Sequence, residues 1–190
     1  MVEKRLLLKD KASMRYISWR RRLFTFLKTL DRRIECGKNA VIMPHVDLRL
    51  TDNAKLIIGD YCVIDSYAML QLSKPEPRII LEDYVTVGRG TFISAKKLVH
   101  IGKYSMIGPF CQINDQSHSY AKGELIMNQL ACIEPVRIGS DCWLGSGVRV
   151  LMGVTIGDGS VIGAGSIVTK SIPPYQIWAG NPARYIRDRD

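Results

Sequence analysis

Cut every six residues, the stretch 138–172 reads IGSDCW LGSGVR VLMGVT IGDGSV IGAGSI VTKSI. Each block begins with an aliphatic residue: Ile138, Leu144, Val150, Ile156, Ile162 and Val168. Glycine follows at 139, 145, 157 and 163, and four places after each aliphatic comes a small or medium residue: Cys142, Val148, Val154, Ser160, Ser166 and Ile172. A period of six matches neither one helix face (about 3.6) nor strand alternation (about 2). It matches a prism of short flat strands, each side turning one aliphatic residue inward.

Upstream, the same period runs in groups of three: Ile58/Ile64/Leu70, Leu81/Val87/Ile93 and Ile101/Ile107/Ile113, with Ile42/Leu48 as an incomplete first group. Steps within a group are six residues, whereas steps between groups are 10, 11, 8, 25 and 6. Three hexapeptides make one triangular coil, so every insertion falls at the same corner. Successive coils are expected to stack about 4.8 Å apart through parallel backbone hydrogen bonds.

The rest of the composition fits one domain with a small appendage. The chain has 190 residues, 46% hydrophobic and 24% charged, a globular balance that excludes a disordered chain. No apolar run reaches the roughly 18 residues of a membrane span, and the first ten residues lack a secretory pattern. The formal charge of +9 is unevenly spread: residues 1–35 carry eleven Lys/Arg against four acids, +7, leaving +2 for the body. The five cysteines (36, 62, 111, 132 and 142) form no CxxC pair and no metal spacing. An odd number without an export signal predicts a cytoplasmic chain whose thiols serve mainly as small core residues. Cys62, Cys111 and Cys142 follow an inward aliphatic by four places and are expected inside the coil.

The run Ile138–Ser146, then Ile156-Gly157-Asp158 and Val161–Ser166, resembles the hexapeptide-repeat acyltransferases. The ending Ile172-Pro173-Pro174 and Ala179-Gly180-Asn181-Pro182-Ala183-Arg184 is similar to their C-terminal signature, most of all in the galactoside, maltose and polysaccharide O-acetyltransferase branch. The resemblance covers roughly residues 40–187. It implies an all-β fold, a left-handed parallel β-helix, assembled as a homotrimer with sites between subunits and with acetyl-coenzyme A as donor. The expected divisions are a basic amphipathic helical segment at 1–35, a β-helix at 36–172 with a loop insertion at 114–137, and a tail at 173–190.

The largest insertion begins Asn114-Asp115-Gln116-Ser117-His118. Acetyl transfer to an alcohol needs a base to take the hydroxyl proton, and imidazole titrates near pH 6.5. In galactoside-type acetyltransferases the catalytic histidine follows an Ile-x-Pro stretch at a fixed distance, and Ile107-Gly108-Pro109 leads to His118 with that spacing. Polysaccharide-modifying relatives often carry Asp-His-x-His here. This chain has Gln116 in place of the first histidine, which leaves His118 as the sole local base. Asn114 and Asp115 are candidate acceptor-binding residues. His100 lies at the same corner one coil earlier, and His45 lies in the first coil.

The same resemblance implies coenzyme A contacts at Ser146, Ala164, Thr169 and Lys170, with Arg184 and Arg187 at the nucleotide end. Small residues let a pantetheine arm lie against the coil wall, and the cations suit phosphates. The small residues also serve as tight corners. Trp143 is either a neighbour of the pantetheine arm or a subunit-contact aromatic. The implied mechanism is direct transfer in a ternary complex, with a backbone N–H near Gly145-Ser146 steadying the oxyanion. No cysteine has a motif for an acyl-enzyme.

Three alternatives remain beside a sugar O-acetyltransferase of polysaccharide biosynthesis. One is N-acetylation of an amino sugar or other amine; another is a nonenzymatic β-helix scaffold. The third, the gamma-class carbonic anhydrase arrangement, needs a zinc site of three histidines, two close in sequence, whereas these lie 55 and 18 residues apart, so no metal is expected. Residues 13–33 hold Tyr16, Trp19, Leu23, Phe26, Leu27 and Leu30 at helical spacing. This basic amphipathic segment is expected to cap the first coil or contact another subunit, with a peripheral membrane contact as the second reading. Nucleic acid is not an expected partner.

Overall fold

The computed structural model describes residues 25–190. Helical backbone at 25–28 leads through turns into the first strand. Coil one comprises β1 (Ile34–Cys36), β2 (Val41–Ile42) and β3 (Asp47–Leu50), and coil two β4 (Lys55–Ile58), β5 (Val63–Ile64) and β6 (Met69–Leu72). Coil three is β7 (Arg78–Leu81), β8 (Thr86–Val87) and β9 (Phe92–Ala95); coil four is β10 (Leu98–Ile101), β11 (Met106–Ile107) and β12 (Gln112–Asn114). The long insertion then forms β13 (Gln116–His118) and β14 (Ala131–Ile133). Coil five is β15 (Val136–Ile138), β16 (Trp143–Leu144) and β17 (Arg149–Val150), and coil six is β18 (Thr155–Ile156), β19 (Val161–Ile162) and β20 (Ile167–Val168). A closing hairpin, β21 (Gln176–Gly180) and β22 (Ala183–Asp188), ends the chain.

Every third strand pairs in parallel, giving three flat sheets that form the sides of a parallel β-helix. The register matches the period-six reading. On the first side Cys36, Ile58, Leu81, Ile101, Ile138 and Ile156 stack one above another. The second side stacks Ile42, Ile64, Val87, Ile107, Leu144, Ile162 and Trp178. The third stacks Leu48, Leu70, Ile93, Ile113, Val150 and Val168. A fully buried aliphatic side chain contributes about 1.5–3 kcal/mol, so the columns are the main source of stability.

Cys36 supplies the missing first-side member of coil one, which begins two residues earlier than expected. A lone cysteine in an aliphatic column carries no periodic signal, and only pairing with Ile58 reveals it. Cys62, Cys111 and Cys142 are buried between coils, as their spacing predicted. Their Sγ atoms donate to the carbonyls of Glu82, Gly145 and Gly157 at 2.9, 3.2 and 3.2 Å. Burial pushes all three thiols up, Cys62 to about 11, and keeps them protonated.

The corner between the first and second sides turns through a left-handed residue. Tyr61, Tyr84 and Tyr104 take that position with φ of 59, 61 and 62°. Such backbone is unfavourable for a side chain bearing a Cβ. Ring stacking at centroid separations of 4.9 and 5.1 Å offsets the cost along the column.

Both ends of the prism are covered. At the C-terminal end, Trp178 stacks on Ile162, and Lys170 Nζ lies 5.2 Å above its ring. The expected tail thus belongs to the second-side sheet, through β21 pairing with β19. At the N-terminal end, Thr25 Oγ1 accepts from the Ile42 N–H at 3.0 Å and donates to its carbonyl at 3.3 Å. Asp31 grips Arg33, whose Nη1 donates to the Leu50 carbonyl at 2.7 Å. That guanidinium holds the Asp31 carboxyl down at about 2. The expected helix at 13–33 lies mostly outside the described residues, and its last five positions are turns that deliver the chain to β1.

Candidate active site

His118 ends β13, the first arm of an antiparallel hairpin that leaves the prism at the corner between the third and first sides. Asp115 anchors the departure. Its side chain is fully buried; Oδ1 accepts from the Lys96 N–H at 2.8 Å, and Oδ2 from those of Lys97 and Leu98 at 2.7 and 2.8 Å. The Asp115 carbonyl accepts from Glu134 N–H at 2.9 Å, so one residue ties both the exit and the return of the excursion to the coil below. Asp115, expected to bind the acceptor, is in this structure a staple: its buried carboxylate holds three backbone donors and is not among the residues that line the cavity below.

The hairpin side bearing His118 opens on a cavity of about 360 Å³, lined by Gln71, Ser73, Lys96, Asn114, Gln116, Ser117, His118 and Ala131. That volume lies within the roughly 300–1,000 Å³ of small-ligand clefts. Gln116 Nε2 donates to Ser94 Oγ at 3.0 Å and braces β13 against coil three. Two oxygens near this corner, Ser73 Oγ and Asn114 Oδ1, are buried without a hydrogen-bond partner among the described residues. Asn114, expected to touch the acceptor, is among the residues that line the cavity. Gln71, Ser73 and Lys96 were missed by sequence reasoning. Their signal was the shared corner: insertions at one edge of a prism stack on one another.

His118 is exposed, and its ring makes no hydrogen bond among the described residues. His100 sits elsewhere, on the first side, where Nε2 lies 2.9 Å from Glu82 Oε1. His45 stacks on Tyr67 at 5.1 Å, at the corner between the second and third sides. The three histidines occupy separate parts of the prism and converge on no common point.

The positions matched to coenzyme A divide between two edges. Ser146 and Ala164 occupy successive coils at the corner between the second and third sides. Gly147 and Gly165, with φ of 72 and 69°, leave that edge bare in coils five and six. Below them the equivalent places hold exposed His45, Tyr67 and Phe110 in coils one, two and four, and Gly90 in coil three, covered by the Phe110 ring. A groove therefore opens above an aromatic step. Ala179 stacks on Gly163 and pairs with Arg184, which brings this exposed guanidinium to the top of the same edge. Arg187 follows on β22 but is ion-paired with Asp190 at 2.9 Å.

Trp143 is half exposed on the second side, between Met106 and Val161. Thr169 and Lys170 lie at the other edge, two coils or roughly 10 Å along from Asn114. The Gly145 N–H is committed to the Ile162 carbonyl at 2.8 Å, whereas the Ser146 N–H makes no hydrogen bond among the described residues.

A model of the hexapeptide repeat of succinyl-transferases matches residues 135–170. The protein named "Putative colanic acid biosynthesis acetyltransferase WcaF" of Escherichia coli (strain K12) is 36% identical over 154 residues, 80% of this chain and 68% of its own. The chain belongs to the hexapeptide-repeat acetyltransferases. Solved structures share the fold of this acetyltransferase chain. AntD, an N-acyltransferase from Bacillus cereus in complex with dTDP and 3-hydroxybutyryl-coenzyme A, superposes with a TM-score of 0.77 at 18% identity, covering 88% of each chain. A Vibrio cholerae hexapeptide-repeat acetyltransferase complexed with acetyl-coenzyme A does so at 0.63 and 24% identity, over 95% of this chain and 83% of that one.

Proposed function

We propose that the protein transfers an acetyl group from acetyl-coenzyme A to a sugar hydroxyl of a polysaccharide or its precursor, with His118 as general base. The observation that carries this reading is the cavity at His118, where an exposed imidazole on a braced hairpin lines a cleft of small-ligand size. His118 takes the acceptor proton as the hydroxyl oxygen attacks the thioester carbonyl. The Ser146 N–H receives the developing oxyanion, and as the C–S bond breaks the His118 imidazolium returns its proton to sulfur, so that coenzyme A leaves as the thiol. The bare edge at Gly147 and Gly165 gives the pantetheine arm a path, and Arg184 meets the phosphates. WcaF is named for colanic acid biosynthesis, and the Vibrio cholerae structure holds acetyl-coenzyme A, which supports both acceptor class and donor.

One observation bears on the amine alternative. AntD is an N-acyltransferase, and in other structures it holds an amino sugar nucleotide. Among the described residues the cavity at His118 has no carboxylate in its lining with which to pair an ammonium, as Asp115 points into the corner.

His118 and the Ser146–Ala164 groove stand on different edges of one chain, with the third side between them. A homotrimer, in which the edge of one chain meets the groove of the next, brings them together. Release of free thiol from acetyl-coenzyme A with a panel of sugars tests the activity. His118→Ala is expected to lose at least about 100-fold in kcat with folding and assembly intact. Full turnover in that variant would remove the histidine from the mechanism.

A further inference from the structure

The cavity beside His118 carries a cation and no anion. Lys96 lines it, and its main-chain N–H belongs to the Asp115 staple, while its ammonium makes no hydrogen bond or ion pair among the described residues. Lys103 pairs with Asp83 at 3.0 Å and Lys55 with Glu35 at 3.6 Å, whereas Lys96 lines a cavity with no carboxylate among its lining residues. The carboxylate in the same corner, that of Asp115, is turned onto three backbone donors and pairs with neither Lys96 nor Lys97. Among the described residues the cavity therefore carries a positive charge with no carboxylate to compensate it.

We infer that the acceptor is an anionic sugar, whose carboxylate or phosphate is received by Lys96. A charge-assisted hydrogen bond is about twice as strong as a neutral one, and a half-enclosed cleft screens it less than open water. The inference rests on the acetyltransferase reading of this cavity and adds its substrate class.

The test uses the full chain and three sets of sugars in the gluco, galacto and manno configurations. These are methyl glycosides of uronic acids, the corresponding neutral hexosides, and sugar 1-phosphates. Calorimetry without donor gives Kd for each, and thiol release with acetyl-coenzyme A gives kcat/KM. At least one anionic sugar is expected to bind about tenfold or more tightly than its neutral counterpart, and the better anionic arm tells carboxylate from phosphate. Lys96→Gln is expected to bring that ratio within about twofold of unity, because the Asp115 staple uses only the main chain of Lys96. Lys103→Gln, far from the cavity, is expected to keep it. Equal binding of charged and neutral sugars, binding of none, or a preference that survives in Lys96→Gln overturns the inference. Calorimetry reads the preference even if no sugar is acetylated, so failure of turnover alone counts against the acetyltransferase reading and not against Lys96.

Discussion

At the scale of single residues, the five thiols divide by position. Cys62, Cys111 and Cys142 are buried and bonded to carbonyls of the next coil, and Cys36 is half-buried with its pKa raised by desolvation. Cys132 is exposed on β14, opposite Ser117, with Ser119 Oγ at 3.2 Å. Side chains alternate along a strand, so Cys132 projects from the hairpin face opposite to His118. Brief treatment with iodoacetamide is expected to modify Cys132 first and to spare the three buried thiols until the protein unfolds. Mass spectrometry of the digested protein reads the order. Turnover is expected to survive that first modification, since a thiol behind the hairpin takes no part in transfer. Loss of turnover in step with Cys132 labelling would put the thiol in the reaction. The roles of Cys62, Cys111 and Cys142 were legible because they fall in phase with the repeat. The staple at Asp115 is not legible, because nothing in its sequence neighbourhood says which way a carboxylate at an insertion corner turns.

At the scale of elements, the hairpin of β13 and β14 depends on how firmly the coil holds its base. Asp115→Ala leaves the N–H groups of Lys96, Lys97 and Leu98 without their acceptor in a buried corner. The cost is expected at about 2–4 kcal/mol, seen as a lower urea midpoint with an unchanged slope. Acetyl transfer should fall as well, because His118 stands only three residues beyond the staple. A wild-type midpoint in Asp115→Ala would mean that the corner finds other acceptors. The N-terminal segment shows what a helical pattern leaves open. The spacing of Phe26, Leu27 and Leu30 reads as helix, yet the chain must turn at 29–33 to bring Arg33 onto the Leu50 carbonyl. Closing the first coil outweighs local helical preference there.

At the scale of the whole molecule, the proposed trimer makes a prediction that no single variant can. His118→Ala removes the base, and Ala164→Trp fills the donor groove; each alone is expected to be inactive. Coexpressed in equal amounts, they form mixed trimers in which an intact His118 meets an intact groove across a subunit boundary. Random assortment puts about one quarter of the sites in that state, so roughly a quarter of wild-type turnover should return. No recovery in trimers shown to be mixed would place the complete site within one chain.

Periodicity by itself determined the architecture of this protein. A side of the prism repeats every six residues, and an inward aliphatic is needed on each, so the hydrophobic columns and the corner that takes insertions can be counted from the chain. The long insertion with its histidine was legible for the same reason. Tertiary structure alone decided which distant residues share the cavity. Ser73, Lys96 and Asn114 come from three coils, and insertions of different length hide their common corner from any fixed spacing. Stacking brings them together because a residue's neighbours in a solenoid lie one coil away, about 4.8 Å across the sheet, whatever length of chain the loop between them takes. Which groups then point inward to bind backbone, as Asp115 does, and which have no partner among the described residues, as with Ser73 Oγ and Asn114 Oδ1, depends on the hydrogen bonds the neighbouring coil offers.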